Sequence, residues 1–182
     1  MQTRPTRSRT AAPPADAPPP DLVRALGHMA LGTRFKRIGE RLQAQTQALL
    51  QAAGIEVPAS HCPVLVALQS LGPSRVGTLA QALGVAQPGV TRMLVRLAAD
   101  GWVQVEGAAD DGRARAVSLT PAGADLVARA QRDAFLRVQA AVAQACGAGG
   151  GSLLDQLSAL EAALDDRPLL QRAPPRPPRR PR

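Results

Sequence analysis

Aromatic side chains are nearly missing from this chain of 182 residues: two phenylalanines, Phe35 and Phe135, one tryptophan, Trp102, and no tyrosine. A row of aromatic platforms on which unpaired bases could stack is therefore excluded, and duplex recognition fits better than single-strand recognition. Cysteine and histidine are as scarce. Cys62 and Cys146 form no CxxC pair, and with only His28 and His61 beside them no metal-ligand spacing arises, so neither a metal nor a cofactor is expected. His61 and Cys62 are adjacent, but helix neighbours point about 100° apart, so they do not form a catalytic pair. They read as a helix-surface histidine and a half-buried cysteine, with a redox-active thiol at Cys62 as the alternative. No glycine-rich phosphate loop, paired-carboxylate site or nucleophile elbow stands out, so no catalytic residue is assigned and an enzyme is not expected. Long apolar runs are also lacking. The longest uncharged stretch, between Glu56 and Arg75, contains Pro58, Pro63 and Pro73, and residues 1–20 have no apolar signal-peptide core. No membrane contact and a cytoplasmic location are the expectation.

What is present is enough apolar residue for a core, 45% of the chain, and a net charge of +8. The location of that charge matters more than its size. Arg4, Arg7 and Arg9 with Asp16 give +2 in residues 1–20, and Arg172, Arg176, Arg179, Arg180 and Arg182 give +5 at the other end, leaving the middle near +1. Any polyanion-binding face must then be a local patch. Both tails, 1–20 and 167–182, are rich in proline and poor in bulky apolar residues, and are expected to be disordered because burial cannot offset their ordering entropy. The basic C-terminal tail reads either as a weak phosphate tether or as a plain solvated tail.

Between the tails the apolar pattern is helical with one interruption. Asp21 is an N-cap for a long helix carrying Leu22, Leu26, Met29, Phe35, Ile38, Leu42 and Leu49, with Gly54 as its C-cap and weak points at Gly27 and Gly32. Such length predicts that it extends past one core and packs on a partner. A short helix around Val64, Leu65 and Leu68 stops at Gly72-Pro73. Next come two short helices around a turn. Val76, Leu79, Ala80 and Leu83 line the first, Gly84 permits the turn, Val85 plugs it, and Val90, Met93, Leu94 and Leu97 face inward from the second. Pro88 sits where a first helical turn tolerates it. That leaves Gln87, Gly89, Thr91, Arg92 and Arg96 outward or flanking, a face uncharged at its start and basic later, suited to base edges and then phosphates.

Gly101 ends this helix, Trp102 to Val105 reads as a strand, and a second strand runs from about Arg115 to Leu119. The Asp111-Gly112 turn signal between them makes a hairpin, and a hairpin directly after a helix-turn-helix is a wing. Arg113 at its tip is placed to enter a narrow minor groove, with Asp111 bracing its guanidinium and Arg115 at the same parity. Thr120-Pro121 starts a helix through Leu126, Val127, Ala130, Phe135, Val138 and Val142. After the glycines from 147 to 151, Ser152 and Asp155 have capping-box spacing for a last helix with Leu153, Leu157, Leu160 and Leu164, too short to stand without a partner surface.

The segment LAQALGVAQPGVTRMLVRLAADGWV followed by DGRARAVSLTPAG resembles the MarR family of bacterial transcription regulators, and the resemblance covers roughly residues 22–165. Asp111, Arg113, Leu119, Thr120 and Gly123 match that family's wing signature. The resemblance implies a mainly α fold with a small β-wing: a winged helix-turn-helix region at 60–120, flanked by dimerisation helices at 21–55 and 121–166. It further implies a homodimer that binds double-stranded DNA at a palindromic operator, and a small-molecule effector or oxidant acting between the dimer arms and the lobes. Two positions depart from the family pattern, Ala86 and Gly89, where hydroxyl residues are common. Base readout is accordingly expected to lean on Gln87, Thr91 and Arg92, within a DNA-binding set that also includes Pro88, Gly89, Arg96, Asp111, Arg113 and Arg115. Cys62 does not lie in the first helix, where the peroxide-sensing branch keeps its reactive cysteine. A protein-binding winged-helix module without specific DNA binding is the alternative; its outer recognition face should be apolar or acidic.

Overall fold

Gly27, with φ of 56°, adopts the left-handed conformation that a glycine tolerates and a continuing helix does not. It divides the expected first helix into α1 (Leu22–Ala25), a 3-10 turn (Gly27–Ala30) and α2 (Leu31–Ala52). The glycine therefore acts as a break rather than as a mere propensity cost. The computed structural model describes residues 19–106, 116–147 and 150–173, which fall into two units divided between Arg41 and Leu42.

In the first unit, Asp21 caps α1 by accepting from the Arg24 backbone N–H at 3.1 Å. Arg37 on α2 donates to both carboxylate oxygens at 3.0 Å, a bidentate pair that fixes how α1 folds back on α2. The Arg37 hydrogen bonds, then the Arg24 N–H, hold the Asp21 carboxyl down to about 2. A depressed carboxylate stabilises the fold above its unfolded value of 3.8 and loses that contribution as the pH falls through about 2. Backbone amides of α1 should then keep their chemical shifts down to about pH 4 and change between pH 4 and 2; titration of the α1 amides near neutral pH would contradict the pairing.

The second unit is a helical lobe on a three-stranded sheet. α3 (Cys62–Leu71) carries Pro63 in its first turn and is stopped by Gly72. β1 (Ser74–Arg75), α4 (Val76–Leu83) and α5 (Gln87–Ala99) follow, then β2 (Val103–Glu106), β3 (Ala116–Leu119) and α6 (Pro121–Ala130). The sheet is antiparallel with order β1-β3-β2, pairing Val105 with Val117 and Ser74 with Val117 across its middle strand. A two-residue strand has too little pattern to read, and β1 was not anticipated. Leu50, Val64, Leu65, Leu79, Val90, Leu97, Val103, Val117, Leu126 and Val127 are all buried in one core that joins α3, α4, α5, α6 and the sheet. The loop before α3 is tied to α2 by Gln47, whose amide oxygen accepts from Ala59 N–H at 2.7 Å and whose amide nitrogen donates to the Val57 carbonyl at 3.3 Å.

The last helices depart from expectation in three places. The helix begun at Pro121 is interrupted by a π-turn at Gln131–Phe135 before α7 (Leu136–Cys146). Gln131 and Gln69 exchange amide hydrogen bonds at 2.7 and 3.4 Å across to α3, holding that turn on the lobe. α8 (Gly150–Asp166) starts ahead of Ser152, so Ser152 is inside the helix and accepts from the Gln156 amide at 3.0 Å instead of capping. A short α9 (Leu169–Arg172) follows Pro168 within the segment expected to be disordered, because Pro168 ends α8 and Leu169-Leu170 can start a new turn. No described helix is long and apolar enough to cross a membrane.

Candidate nucleic-acid interface

The turn between α4 and α5 is set by Gly84, whose φ of 63° no side-chain-bearing residue adopts without strain. The Val85 N–H donates back to Ala80 at 3.1 Å and closes α4, while the Val85 side chain is 44% exposed. Val85 thus seals the turn through its backbone and does not plug it. α5 begins at Gln87 with Ala86 as an N-cap that offers no side-chain hydrogen bond; Pro88 in the first turn lacks one of the N–H groups that would go unsatisfied.

Val90, Leu94 and Leu97 bury one side of α5, with Met93 half-buried. Gln87, Pro88, Thr91, Arg92 and Arg96 are exposed on the other, and Gln87, Pro88, Thr91 and Arg92 line one shallow concavity. Gly89 is half-buried, and open space lies where a side chain would be. The Thr91 hydroxyl donates to the Gln87 carbonyl at 3.0 Å, which fixes its orientation and leaves its lone pairs outward as acceptors. Arg96 differs from Arg92. Its Nε donates to Asp100 Oδ2 at 3.0 Å one turn on, so its positive charge is countered on its own helix.

Sequence reasoning passed over two residues here. Arg75 is exposed on β1 opposite Ala116, at the base of the wing, and only the pairing with β3 places it there. Val95, 67% exposed, lies at the middle of the outer face and lines an apolar groove with Val103, Val105 and Val117 of the wing sheet. Asp111, Arg113 and Arg115 lie outside the described residues. The wing base below them is well fixed. Thr120 donates its hydroxyl to the Gly101 carbonyl at 2.7 Å and accepts from Gly123 N–H at 3.0 Å, capping α6 and clamping it to the end of α5.

His61 is half-buried with Nδ1 shielded and unpaired, rather than on a helix surface. Burial lowers its proton affinity, Asp100 opposes that shift and Arg96 adds to it, so the start of α3 is electrostatically linked to the end of α5. Next to it, burial pushes the Cys62 thiol up from 9.0 to about 11. Its thiolate fraction at neutral pH is then on the order of a hundredfold below that of an unshifted cysteine. Alkylation by iodoacetamide at pH 7 should be slower for Cys62 by a similar factor than for a free thiol, read by mass spectrometry of the peptide; rapid alkylation would restore the redox reading.

A helix-turn-helix whose second helix is solvent-facing, followed by a two-stranded wing that β1 extends, defines a winged helix-turn-helix lobe. The MarR family model matches residues 55–114, which run from the loop before α3 into the wing. Over that segment the chain is similar to the MarR family, and its fold is the winged helix-turn-helix fold. Among solved structures, a mutant MarR from E. coli complexed with operator DNA is 22% identical, with 80% of this chain and 99% of that one covered at a TM-score of 0.63. The M. tuberculosis transcriptional regulator MOSR in complex with DNA is 25% identical, covering 74% and 96% at a TM-score of 0.61. The transcriptional repressor CouR bound to a 23-mer duplex is 24% identical, covering 75% and 96% at 0.59. No curated protein matches the sequence.

Proposed function

We propose that this chain is a homodimeric, sequence-specific regulator of transcription, acting in the cytoplasm as a repressor at a palindromic operator and released from it by a small-molecule effector. The observation that carries the reading is α5, which exposes Gln87, Thr91 and Arg92 together beside the base of the wing. Their order places amide and hydroxyl groups ahead of a guanidinium that has no ion-pair partner among the described residues, the donor and acceptor set that reads base edges in a major groove. The edge residue Arg75 supplies positive charge at the base of the wing, and the sequence adds Arg113 and Arg115 between β2 and β3. DNA complexes of MarR, MOSR and CouR support the choice of partner.

Homodimerisation is supported by apolar side chains left in solvent on the first and last helices, among them Leu22 at 67%, Met29 at 79%, Leu154 at 66% and Leu170 at 88% exposed. A two-fold dimer carries two copies of α5, and an operator that satisfies both is a palindrome. Selection of bound duplexes from a random pool at near-physiological salt should enrich an inverted repeat with half-sites about one or two helical turns apart. Failure to enrich any sequence overturns the reading and favours the protein-docking alternative, to which the exposed Val95 and its apolar groove lend weight.

A further inference from the structure

A cavity of about 410 Å³ opens within the second unit, between the C-terminal half of α2, the start of α3 and the stretch where the π-turn becomes α7. Leu42, Pro63, Val66, Phe135 and Val138 supply its apolar walls. Gln43, Thr46 and Gln139 bring the groups able to exchange hydrogen bonds with a guest. None of its described wall residues is acidic, basic or histidine. A carboxylate or ammonium entering this space would give up hydration without meeting a counter-charge, whereas an uncharged ring system loses little and gains contact on several sides. The volume is in the range of small-ligand pockets.

We propose that the effector taken up by this cavity is a compact, uncharged, largely apolar molecule with one or two hydrogen-bonding groups, and not an organic anion. This rests on the reading of the chain as an effector-responsive regulator. Cys62 lines the same cavity with its sulfur directed at the Pro58 carbonyl, 3.8 Å away, and as a neutral thiol it serves as wall rather than as a counter-charge. Two features beside the cavity join it to the rest of the fold. Cys62 is followed back by His61, which is electrostatically linked to Arg96 and Asp100 at the end of α5. Phe135 ends the π-turn, the point where α6, with Leu126, Val127 and Ala130 buried, gives way to α7, which buries none. Single-turn π segments inside α-helices occur frequently at functional sites.

The test is a fluorescence titration of the full chain, free of DNA, with two probes that share a skeleton. N-phenyl-1-naphthylamine is neutral; 1-anilinonaphthalene-8-sulfonate carries an added sulfonate. The neutral probe should saturate and bind at least tenfold tighter. Val138→Arg, on a helix that buries no core residue, should weaken the neutral probe at least tenfold and strengthen the sulfonate. Should that variant fold poorly by circular dichroism, Val138→Trp should block the neutral probe without favouring the sulfonate. Equal binding of both probes, or insensitivity to the Val138 substitutions, overturns the assignment. Saturating neutral probe should also change affinity for a selected duplex at least threefold, and an unchanged affinity overturns the effector role. Loss of duplex selection with the titration intact would instead count against the regulator reading alone.

Discussion

Replacing Gly123 by alanine is expected to cost about 3 kcal/mol of unfolding free energy, at the upper end of what overpacking by one methyl exacts. The reason is local. Gly123 is buried in the first turn of α6, and a Cβ built there would lie 2.9 Å from the Trp102 carbonyl carbon and 3.3 Å from its Cα, with the carbonyl oxygen closer still. These are backbone atoms, so no rotamer change relieves them. Nor can that segment shift freely, because Trp102 N–H donates to Leu97 at 2.8 Å and its carbonyl accepts from Thr120 at 3.1 Å. α6 must therefore move off the base of the wing. Gly89→Ala is the internal contrast, since nothing lies within 4 Å of the added methyl and helix propensity favours alanine. That variant should be neutral or more stable by about 0.5 kcal/mol. Urea denaturation at one fixed protein concentration reads both, since a dimer's stability depends on concentration. A Gly123→Ala midpoint equal to that of the parent would show that the close approach to Trp102 is not held in solution.

Elements specified by neighbouring residues were legible in the sequence, and elements specified by distant pairing were not. α5 could be read because Val90, Leu94 and Leu97 repeat at helical spacing between two punctuating glycines, Gly84 and Gly101, both with positive φ. Thr120-Pro121 could be read because capping is a local transaction, here between Thr120 and the N–H of Gly123. Strand β1 could not, since two residues acquire strand character only from β3, which comes much later in the chain. The π-turn at Gln131–Phe135 carries no composition of its own; its place follows from the Gln69 pairing and the burial of Ala134. The break at Gly27 shows the opposite failure, in which a local signal was seen and given too little weight. For the interface, identities along α5 revealed which side chains face out, but not that Arg96 is engaged with Asp100 or that Arg75 is brought to the wing. The cavity behind Cys62 was illegible because its walls come from three separated stretches of chain.

Arg92→Ala should weaken binding to a selected duplex by on the order of 1 to 3 kcal/mol and relax preference at one base pair per half-site. Its guanidinium is exposed and shares a concavity with Gln87 and Thr91, the groups proposed to meet base edges. Arg96→Ala should leave selectivity unchanged, because Asp100 already holds the Arg96 guanidinium, and should weaken binding to any duplex, because it removes one positive charge and leaves the Asp100 carboxylate unpaired on the face. Asp100→Asn then gives the decisive sign. Freed of its partner, Arg96 can take a phosphate, so affinity for any duplex should rise and the salt dependence should steepen by about one released ion. Arg113→Ala, within the sequence that joins β2 to β3, should on the proposed reading weaken binding by on the order of 1 to 3 kcal/mol and flatten the salt dependence by about one ion. Titrations at several salt concentrations separate the four variants, because base reading changes selectivity and phosphate contact changes slope. If Arg92→Ala altered only the slope while Arg96→Ala altered selectivity, the bases would be met about one helical turn further along α5, since residues four apart share a face. An Arg113→Ala protein with unchanged affinity and slope would remove the wing from the interface altogether.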